Sequence, residues 1–260
     1  MIFDDGVRLE RIGDGRYRGH ADERWRVFKG PNGGYLTAML LNAQILGLGD
    51  PERQPRSLAV HFVSRALEGD VEIEVSIERV GRSFSSTTAR MFQEGRLCAT
   101  SHCAFALPRD GDSYDELGMP ATAKPDELPD ILMPEEMLPP FARNFEYRMS
   151  LGNLPYTGSS EAVLGGWIRP KEKRQIDPVL LAAYSDAFPP SVFARLTGPI
   201  AAPTIDLTVH FLGDLPLEAD WVLCRFESPV ARDGVLIEDG WMWSSEGALL
   251  ARSRQLALYR

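Results

Sequence analysis

The sequence contains few cysteines and has a deficit of positive charge. The three cysteines are an odd and sparse set that does not indicate a disulfide framework: Cys98, Cys103 and Cys224. The 28 basic and 37 acidic residues give a formal charge of -9, which has the wrong sign for binding phosphate backbones or anionic lipid surfaces. We therefore expect no nucleic acid partner.

The sequence also lacks a long uncharged apolar run. Its most apolar segment, from Tyr35 to Leu48, has about the length of one globular helix, whereas a membrane helix needs ~20 apolar residues. The chain starts MIFDDGVRLE, without the basic start and apolar run of a secretory signal. We therefore expect no membrane span and a cytoplasmic location.

What the chain does contain is enough apolar sequence for a sizeable core, with 44% hydrophobic and 25% charged residues over 260 positions. Between Leu107 and Phe141 the composition becomes rich in proline and acidic residues without sustained periodicity, as is typical of a linker. The sequence thus predicts an N-terminal repeat over residues 1–108, a linker over 109–140 and a C-terminal repeat over 141–260.

The two predicted repeats resemble each other. The segment Ser57–Phe62 (SLAVHF) matches Asp206–Phe211 (DLTVHF), and Met91–Ser101 resembles Met242–Ser253. The copies lie 149 residues apart at the first pair and 152 near the second. Two pairs of similar segments that occur in the same order and at nearly the same separation indicate an internal duplication.

Each copy has the pattern of one buried helix followed by antiparallel strands. The first helix is predicted from Gly33 to Leu46, and the second runs from Asp177 as N-cap to about Phe188. Strands are predicted at 57–66, 71–80, 84–93 and 96–107, then at 204–212, 221–228, 235–244 and 248–259. This α+β pattern is that of a double hotdog fold, two tandem repeats each with a long central helix wrapped by an antiparallel sheet. We expect the two sheets to pair edge to edge.

Familiar catalytic and binding motifs are missing. The segment Gly81–Ser85 (GRSFS) is not a G-x-S-x-G nucleophile elbow, and no phosphate-binding glycine loop occurs. Cys98, His102 and Cys103 alternate along one predicted strand, which places His102 and Cys103 on opposite faces. We expect no metal and no cofactor.

Asp186 stands out because it lies toward the C-terminal end of an otherwise apolar helix. The helix dipole and loss of hydration would both raise the pKa of a carboxylate there. The alternative is a frayed helix end in which Asp186 is solvated or caps a backbone group.

Two further polar residues lie on predicted strands. Strand alternation places Thr204 on one face of its predicted strand together with Asp206, Thr208 and His210. We interpret Thr208 and His210 as facing solvent. Gln255 lies among small and apolar neighbours and is either a structural or a ligand-orienting amide. The duplication places Pro55 opposite Thr204 and Cys103 opposite Gln255, which favours one working site per chain.

These residues resemble the type II acyl-CoA thioesterases with a double hotdog fold. The likeness rests on Gly33–Gly34, Gly81–Ser85, Tyr184–Asp186, Thr204–Asp206 and Gln255. The resemblance implies that Asp186, Thr204 and Gln255 are catalytic and hold the water that attacks the thioester, without a covalent intermediate. Pro189–Pro190 departs from the family pattern.

The resemblance also implies an acyl-CoA substrate and where it would bind. Substrate contacts are expected at Gly33, Gly34 and Tyr35 and at the turn formed by Arg82, Ser83 and Phe84. The two glycines are also candidate oxyanion donors, because glycine allows close approach and a helix N-terminus favours negative charge. An ordinary loop-to-helix junction explains them equally well. The family further implies a homo-oligomer, a dimer or larger.

Two alternatives are open. An enoyl-CoA hydratase of this fold needs a histidine within a few residues of the aspartate, but the next one after Asp186 is His210, 24 residues on. A non-catalytic acyl-thioester binding protein would lose the water-holding side chains, and all three are present here. The sequence therefore favours hydrolysis.

Overall fold

Twelve antiparallel strands and three α-helices make up the regular structure in the described part of this computed structural model, residues 1–130, 138–218 and 220–259. The helices are α1 (Ile2–Gly6), α2 (Gly33–Leu48) and α3 (Pro178–Tyr184). The strands are β1 (Glu10–Gly13), β2 (Arg16–Ala21), β3 (Gln54–Phe62), β4 (Gly69–Val80), β5 (Phe84–Gln93), β6 (Arg96–Ala106), β7 (Phe145–Gly152), β8 (Val163–Pro170), β9 (Thr204–Phe211), β10 (Val222–Arg232), β11 (Val235–Ser244) and β12 (Leu249–Leu258).

The strands form one sheet in the order β1-β2-β4-β5-β6-β3-β9-β12-β11-β10-β8-β7. The two copies join where β3 pairs with β9, with Ser57 opposite His210 and Ala59 opposite Thr208. Ala59 and Thr208 are themselves 149 residues apart, the offset of the duplication, so the junction lies on a local two-fold relation between the copies. The expected edge-to-edge pairing is confirmed.

Helix α2 is the central helix of the first copy. It is apolar nearly all round, and its buried side chains include Leu36, Met39, Leu40, Leu41 and Ala43. It packs against α3 and against strands β4 and β5. Asn32 caps its start by accepting a 3.0 Å hydrogen bond from the N–H of Tyr35. Among the described residues, no helix is long and apolar enough to cross a membrane.

Helix α3 is shorter than expected. The predicted cap at Asp177 is confirmed, since its carboxylate accepts the N–H of Leu180 at 2.8 Å. The predicted end near Phe188 is wrong, because the helix stops at Tyr184. The hydroxyl of Ser185 donates to the carbonyl of Ala182 at 2.7 Å, a local bond that competes with continued helix. Asp186 therefore lies in the turn after the helix.

Both copies carry a register shift at the same place. On β9 the pairing with β12 shifts between Leu256 and Ala257, so that Ile205 forms a bulge beside Thr204. On β3 the pairing with β6 shifts between Pro55 and Ser57, which leaves an extra residue at Arg56. Arg56 and Ile205 are 149 residues apart, so the bulge belongs to the repeated unit.

The segment predicted as a linker contacts the second copy. The backbone carbonyls of Leu117 and Ala123 accept hydrogen bonds from the indole N–H groups of Trp243 and Trp167 at 3.2 and 3.0 Å. Residues 131–137 of the predicted linker lie outside the described residues. The boundaries at 108 and 141 stay predictions.

Burial of α2 predicts a large loss of stability on truncating its inner face. Leu40 is fully buried, so we expect Leu40→Ala to lower the free energy of unfolding by about 2–5 kcal/mol. Leu46→Ala on the same helix, where the side chain is 47% exposed, should change it by no more than about 0.5 kcal/mol. Urea unfolding measures both, and equal losses would contradict this packing.

Candidate active site

The carboxylate of Asp186 faces the N-terminus of α2. Its Oδ2 accepts the backbone N–H of Gly34 at 3.2 Å and the side-chain amide of Asn32 at 3.2 Å. The same Asn32 amide donates to the Asp186 backbone carbonyl at 2.8 Å. Because α2 belongs to the first copy and Asp186 to the second, the two copies meet at this carboxylate.

The glycines make this approach possible. A Cβ atom on Gly33 would lie 2.8 Å from Oδ2 of Asp186, and one on Gly34 would lie 2.3 Å from the carbonyl oxygen of Ala183. A backbone oxygen cannot move aside as a flexible side chain can. Glycine at position 34 is therefore a steric requirement of the contact between α2 and the turn after α3.

The environment changes the acidity of Asp186. Desolvation by the surrounding protein raises its pKa to about 7, and the negative charge of Glu238 acts in the same direction. The N–H groups of Gly34 and Gly33 and the amide of Gln255 oppose this rise. The predicted elevation and its predicted cause in lost hydration are confirmed, whereas the positive N-terminus of α2, which also faces Asp186, acts against the rise.

Thr204 and Gln255 form the second half of the cluster. The Thr204 hydroxyl donates to Oε1 of Gln255 at 2.7 Å. Strict alternation would place Thr204 on the outer face with Asp206, but the bulge at Ile205 shifts Thr204 opposite the buried Ala257. The bulge therefore turns Thr204 inward, toward Gln255.

The amide of Gln255 connects the cluster. Its Nε2 donates to Oε1 of Glu238 at 2.6 Å, and Glu238 is its direct cross-strand partner. The same amide interacts with the Asp186 carboxylate. Hydrogen bonds thus join Thr204, Gln255 and Glu238, and the Gln255 amide lies close enough to Asp186 to lower the pKa of its carboxyl.

Two members of this group were not predicted. Asn32 directly precedes the predicted helix start at Gly33, and its amide holds Asp186 while its oxygen caps α2. Glu238 is 4% exposed and faces inward from β11. Its sequence signal is an acidic residue in register with Leu236 and Met242, which are both buried on the same strand.

Tyr35 has a structural position. Its side chain is fully buried and stacks on Trp25, with ring centroids 4.9 Å apart. Its hydroxyl donates to the backbone carbonyls of Gly6 and His20 at 2.6 and 3.1 Å. The ring therefore belongs to the core between α2 and the N-terminal segment, and the substrate contact expected at Tyr35 stays a prediction.

The turn that contains Arg82, Ser83 and Phe84 lies apart from Asp186. In the sheet register Phe84 pairs with Ala106, at the far end of β5 from Met91. Met91 pairs with Ala99, which pairs with Phe62 near the start of β9. The seven residue steps from Phe84 to Met91 span roughly 20 Å of strand. All three turn residues are exposed, and Ser83 accepts a 2.8 Å hydrogen bond from Arg109. The structure does not bring this turn to the cluster.

The corresponding place in the first copy lacks the polar set. Pro55 occupies the position of Thr204 and is buried, and Cys103 occupies that of Gln255. Burial raises the pKa of the Cys103 thiol, which disfavours the thiolate. The position of Glu238 is taken by Thr87, which is opposite Cys103 and donates to Gln44 at 2.8 Å.

The histidines of the described ranges give no second acid or base at the cluster. All four histidines fall in the described ranges, and all are exposed: His20, His61, His102 and His210. Within those ranges no three His, Cys, Asp or Glu side chains are grouped so as to hold a metal ion.

The close approach at Gly34 predicts a sharp effect of a single methyl group. We expect Gly34→Ala to lower the free energy of unfolding by about 1–3 kcal/mol through the clash with Ala183. Gly198→Ala is the matched control, because its added Cβ meets nothing within 4 Å. Calorimetric unfolding compares the two variants, and an unaffected Gly34→Ala protein would refute the contact.

The raised pKa of Asp186 predicts a pH-dependent change in stability. Because the folded-state pKa of about 7 exceeds the ordinary 3.8, ionising Asp186 costs stability as the pH rises between these values. The stability of Asp186→Asn relative to the parent should therefore increase by roughly 1–3 kcal/mol between pH 4 and pH 8. This is less than the whole pKa shift would give, because Asp186 is partly solvated. Asp206→Asn on the outer face of β9 is the control. A pH-independent difference for Asp186→Asn would contradict the raised pKa.

Comparison with known proteins gives the family. Residues 21–106 match the acyl-CoA thioesterase N-terminal domain, and residues 124–259 match the acyl-CoA thioesterase C-terminal domain. Acyl-CoA thioesterase 2 of Haemophilus influenzae is 26% identical over 280 residues, covering 98% of this chain and 95% of that protein.

Two solved structures show the same fold. A protein of unknown function with a hot dog fold from Alicyclobacillus acidocaldarius superposes with a TM-score of 0.92 at 28% identity, covering 100% of this chain and 98% of that one. An acyl-CoA thioesterase II from Mycobacterium marinum gives a TM-score of 0.79 at 23% identity, with 99% and 98% coverage, and supports the fold alone. The chain is a double hotdog thioester hydrolase and belongs to the type II acyl-CoA thioesterase family.

Proposed function

We propose that the protein hydrolyses an acyl-CoA thioester with a water molecule held by Asp186, Thr204 and Gln255. The observation that carries this proposal is the convergence of all three side chains in one cluster around a carboxylate whose pKa is about 7. A base with a pKa near the working pH is the most effective at taking a proton from water.

The direction of the hydrogen bonds suits a nucleophilic water. The oxygen of the Gln255 amide can only accept, so Thr204 must donate its single proton there. The lone pairs of the Thr204 hydroxyl are then available to accept from the water, as is the carboxylate of Asp186. A water that donates both protons to these acceptors has its own lone pair free for attack.

The proposed reaction needs no group beyond these residues, the water and the thioester. The water oxygen bonds to the thioester carbonyl carbon while Asp186 takes one water proton, giving a tetrahedral oxyanion. The carbonyl re-forms as the carbon–sulfur bond breaks and its electron pair leaves with sulfur. The proton on Asp186 passes to that sulfur, so the products are the free acid and the thiol of coenzyme A.

The oxyanion donors stay a prediction. Gly33 and Gly34 were candidates for this role, but the N–H of Gly34 donates to Asp186 and that of Gly33 also interacts with it. In this arrangement the start of α2 holds the base. Holding an oxyanion and holding the Asp186 carboxylate would both use the positive N-terminus of α2.

Hydration of an enoyl thioester is the less favoured chemistry. It requires a second acid/base group beside the aspartate, and the four histidines are all exposed away from the cluster. Glu238 is closer, but its carboxylate is occupied by Gln255, Ser191 and Ser228. These contacts favour hydrolysis.

One chain supplies the whole cluster, because the start of α2 in the first copy holds Asp186 of the second copy, and Thr204 and Gln255 meet between β9 and β12 of the second copy. The proposal is therefore one site per chain. Assembly into a dimer or larger oligomer, and the cytoplasmic location, stay predictions.

Release of free thiol from a panel of acyl-CoAs tests the proposal. We expect hydrolysis by the parent and a loss of about 10²–10⁴-fold in kcat/KM for Asp186→Asn, which keeps the shape of the side chain but removes the base. Cys103→Ala is the control, because Cys103 occupies the position equivalent to Gln255 in the first copy, which lacks the polar side chains. It should retain full activity.

Two results would contradict the proposal. If Asp186→Asn hydrolyses as well as the parent, Asp186 is structural and the base lies elsewhere. If no acyl-CoA is hydrolysed but one raises the melting temperature, the protein binds acyl thioesters without catalysis.

A further inference from the structure

Glu238 is a buried carboxylate that the water-holding mechanism does not itself use. It is 4% exposed, and it lies behind Gln255 on the neighbouring strand. Its Oε2 accepts the backbone N–H of Ser191 at 2.5 Å and the hydroxyl of Ser191 at 2.6 Å, with the hydroxyl of Ser228 at 3.4 Å. Its Oε1 accepts from Nε2 of Gln255 at 2.6 Å.

Burying such a charge is costly, which makes its retention informative. Desolvation raises the pKa of Glu238, while hydrogen bonds from Ser191, Gln255 and Ser228 oppose the rise. Its charge also raises the pKa of Asp186, although no hydrogen bond joins the two carboxylates. The first copy has the neutral Thr87 at this position. A carboxylate is thus present only in the copy that holds the candidate site.

The hydrogen bonds fix which way round the Gln255 amide lies. Both oxygens of Glu238 accept hydrogen bonds, Oε2 from Ser191 and Oε1 from Gln255, so the NH₂ group of Gln255 faces the carboxylate. The oxygen of the amide is then turned toward Thr204, which obliges the threonine hydroxyl to donate. A reversed amide would present NH₂ to Thr204 and take away the lone pair that faces the water.

We infer that Glu238 is a positioning residue, which sets the orientation of the Gln255 amide and through it the direction of the hydrogen bond between Thr204 and the attacking water. This inference rests on the proposed function. Glu238 touches neither water nor substrate in this scheme, and it orients the water through Gln255 and Thr204.

The substitution Glu238→Gln tests this by reversing the polarity with little change of shape. An oxygen must stay toward the N–H of Ser191, so the new NH₂ group faces Gln255 and turns the Gln255 amide over. We expect kcat for thiol release to fall by about 10- to 100-fold with KM little changed, because the substrate is still bound while the water is misplaced. Glu238→Asp, which keeps the charge but is too short to reach Gln255, should show the same loss of kcat.

Thr87→Val is the matched control. It removes a buried hydrogen bond at the same position of the first copy, so it should lower the melting temperature and leave kcat unchanged. If Glu238→Gln and Glu238→Asp both fold and keep the parent kcat, the inference is overturned. An equal loss of kcat in Thr87→Val would also overturn it, because the effect would then reflect stability alone.

A second readout is independent of activity. In ¹⁵N spectra of the parent, a side-chain N–H of Gln255 bonded to a carboxylate should be shifted downfield and slow to exchange, and Glu238→Gln should remove both features. An unchanged signal would refute the positioning role. If the signal changes as expected but the parent hydrolyses no acyl-CoA, the orientation of the amide stands and the proposed function fails.

Discussion

The structure depends on one contact, the packing of the Asp186 carboxylate against the N-terminus of α2. This contact joins the two copies of the duplicated unit, because the helix comes from the first and the carboxylate from the second. It requires glycine at position 34 and the amide of Asn32, and it leaves Asp186 only partly exposed to water. Desolvation raises the pKa while the helix N–H groups limit the rise, which leaves a carboxylate with a pKa of about 7.

The duplication explains how one of two equivalent places carries the polar chemistry. Both copies retain the strand bulge, at Arg56 and at Ile205, but its neighbour is Pro55 in one and Thr204 in the other. The first copy fills the remaining positions with a buried thiol and a threonine. The first copy contributes only the start of α2 to the cluster. The second copy contributes the Asp186 carboxylate and the water-holding side chains of Thr204 and Gln255.

Much of this arrangement could be predicted from the sequence, and the exceptions have local causes. Strands β5 and β11 were predicted with their observed bounds, because alternation and turn residues mark both ends. Strands β1, β2, β7 and β8 were not predicted. The end of α3 depends on the bond from Ser185 to a backbone carbonyl, and the inward turn of Thr204 depends on the bulge at Ile205. The role of Glu238 depends on its cross-strand pairing with Gln255. The first two leave no periodic signal, and the alternation of β11 marks Glu238 as inward-facing without showing its partner Gln255.

The most direct test of the account is a carboxyl ¹³C NMR titration of Asp186 in the intact protein. The account predicts a midpoint near pH 7, far above the ordinary 3.8, since the carboxylate is desolvated and lies near a second buried negative charge. A midpoint near 4 would show that Asp186 is well solvated. Asp186 would then be an ordinary surface carboxylate, and neither its place as the base nor the cluster built around it would stand.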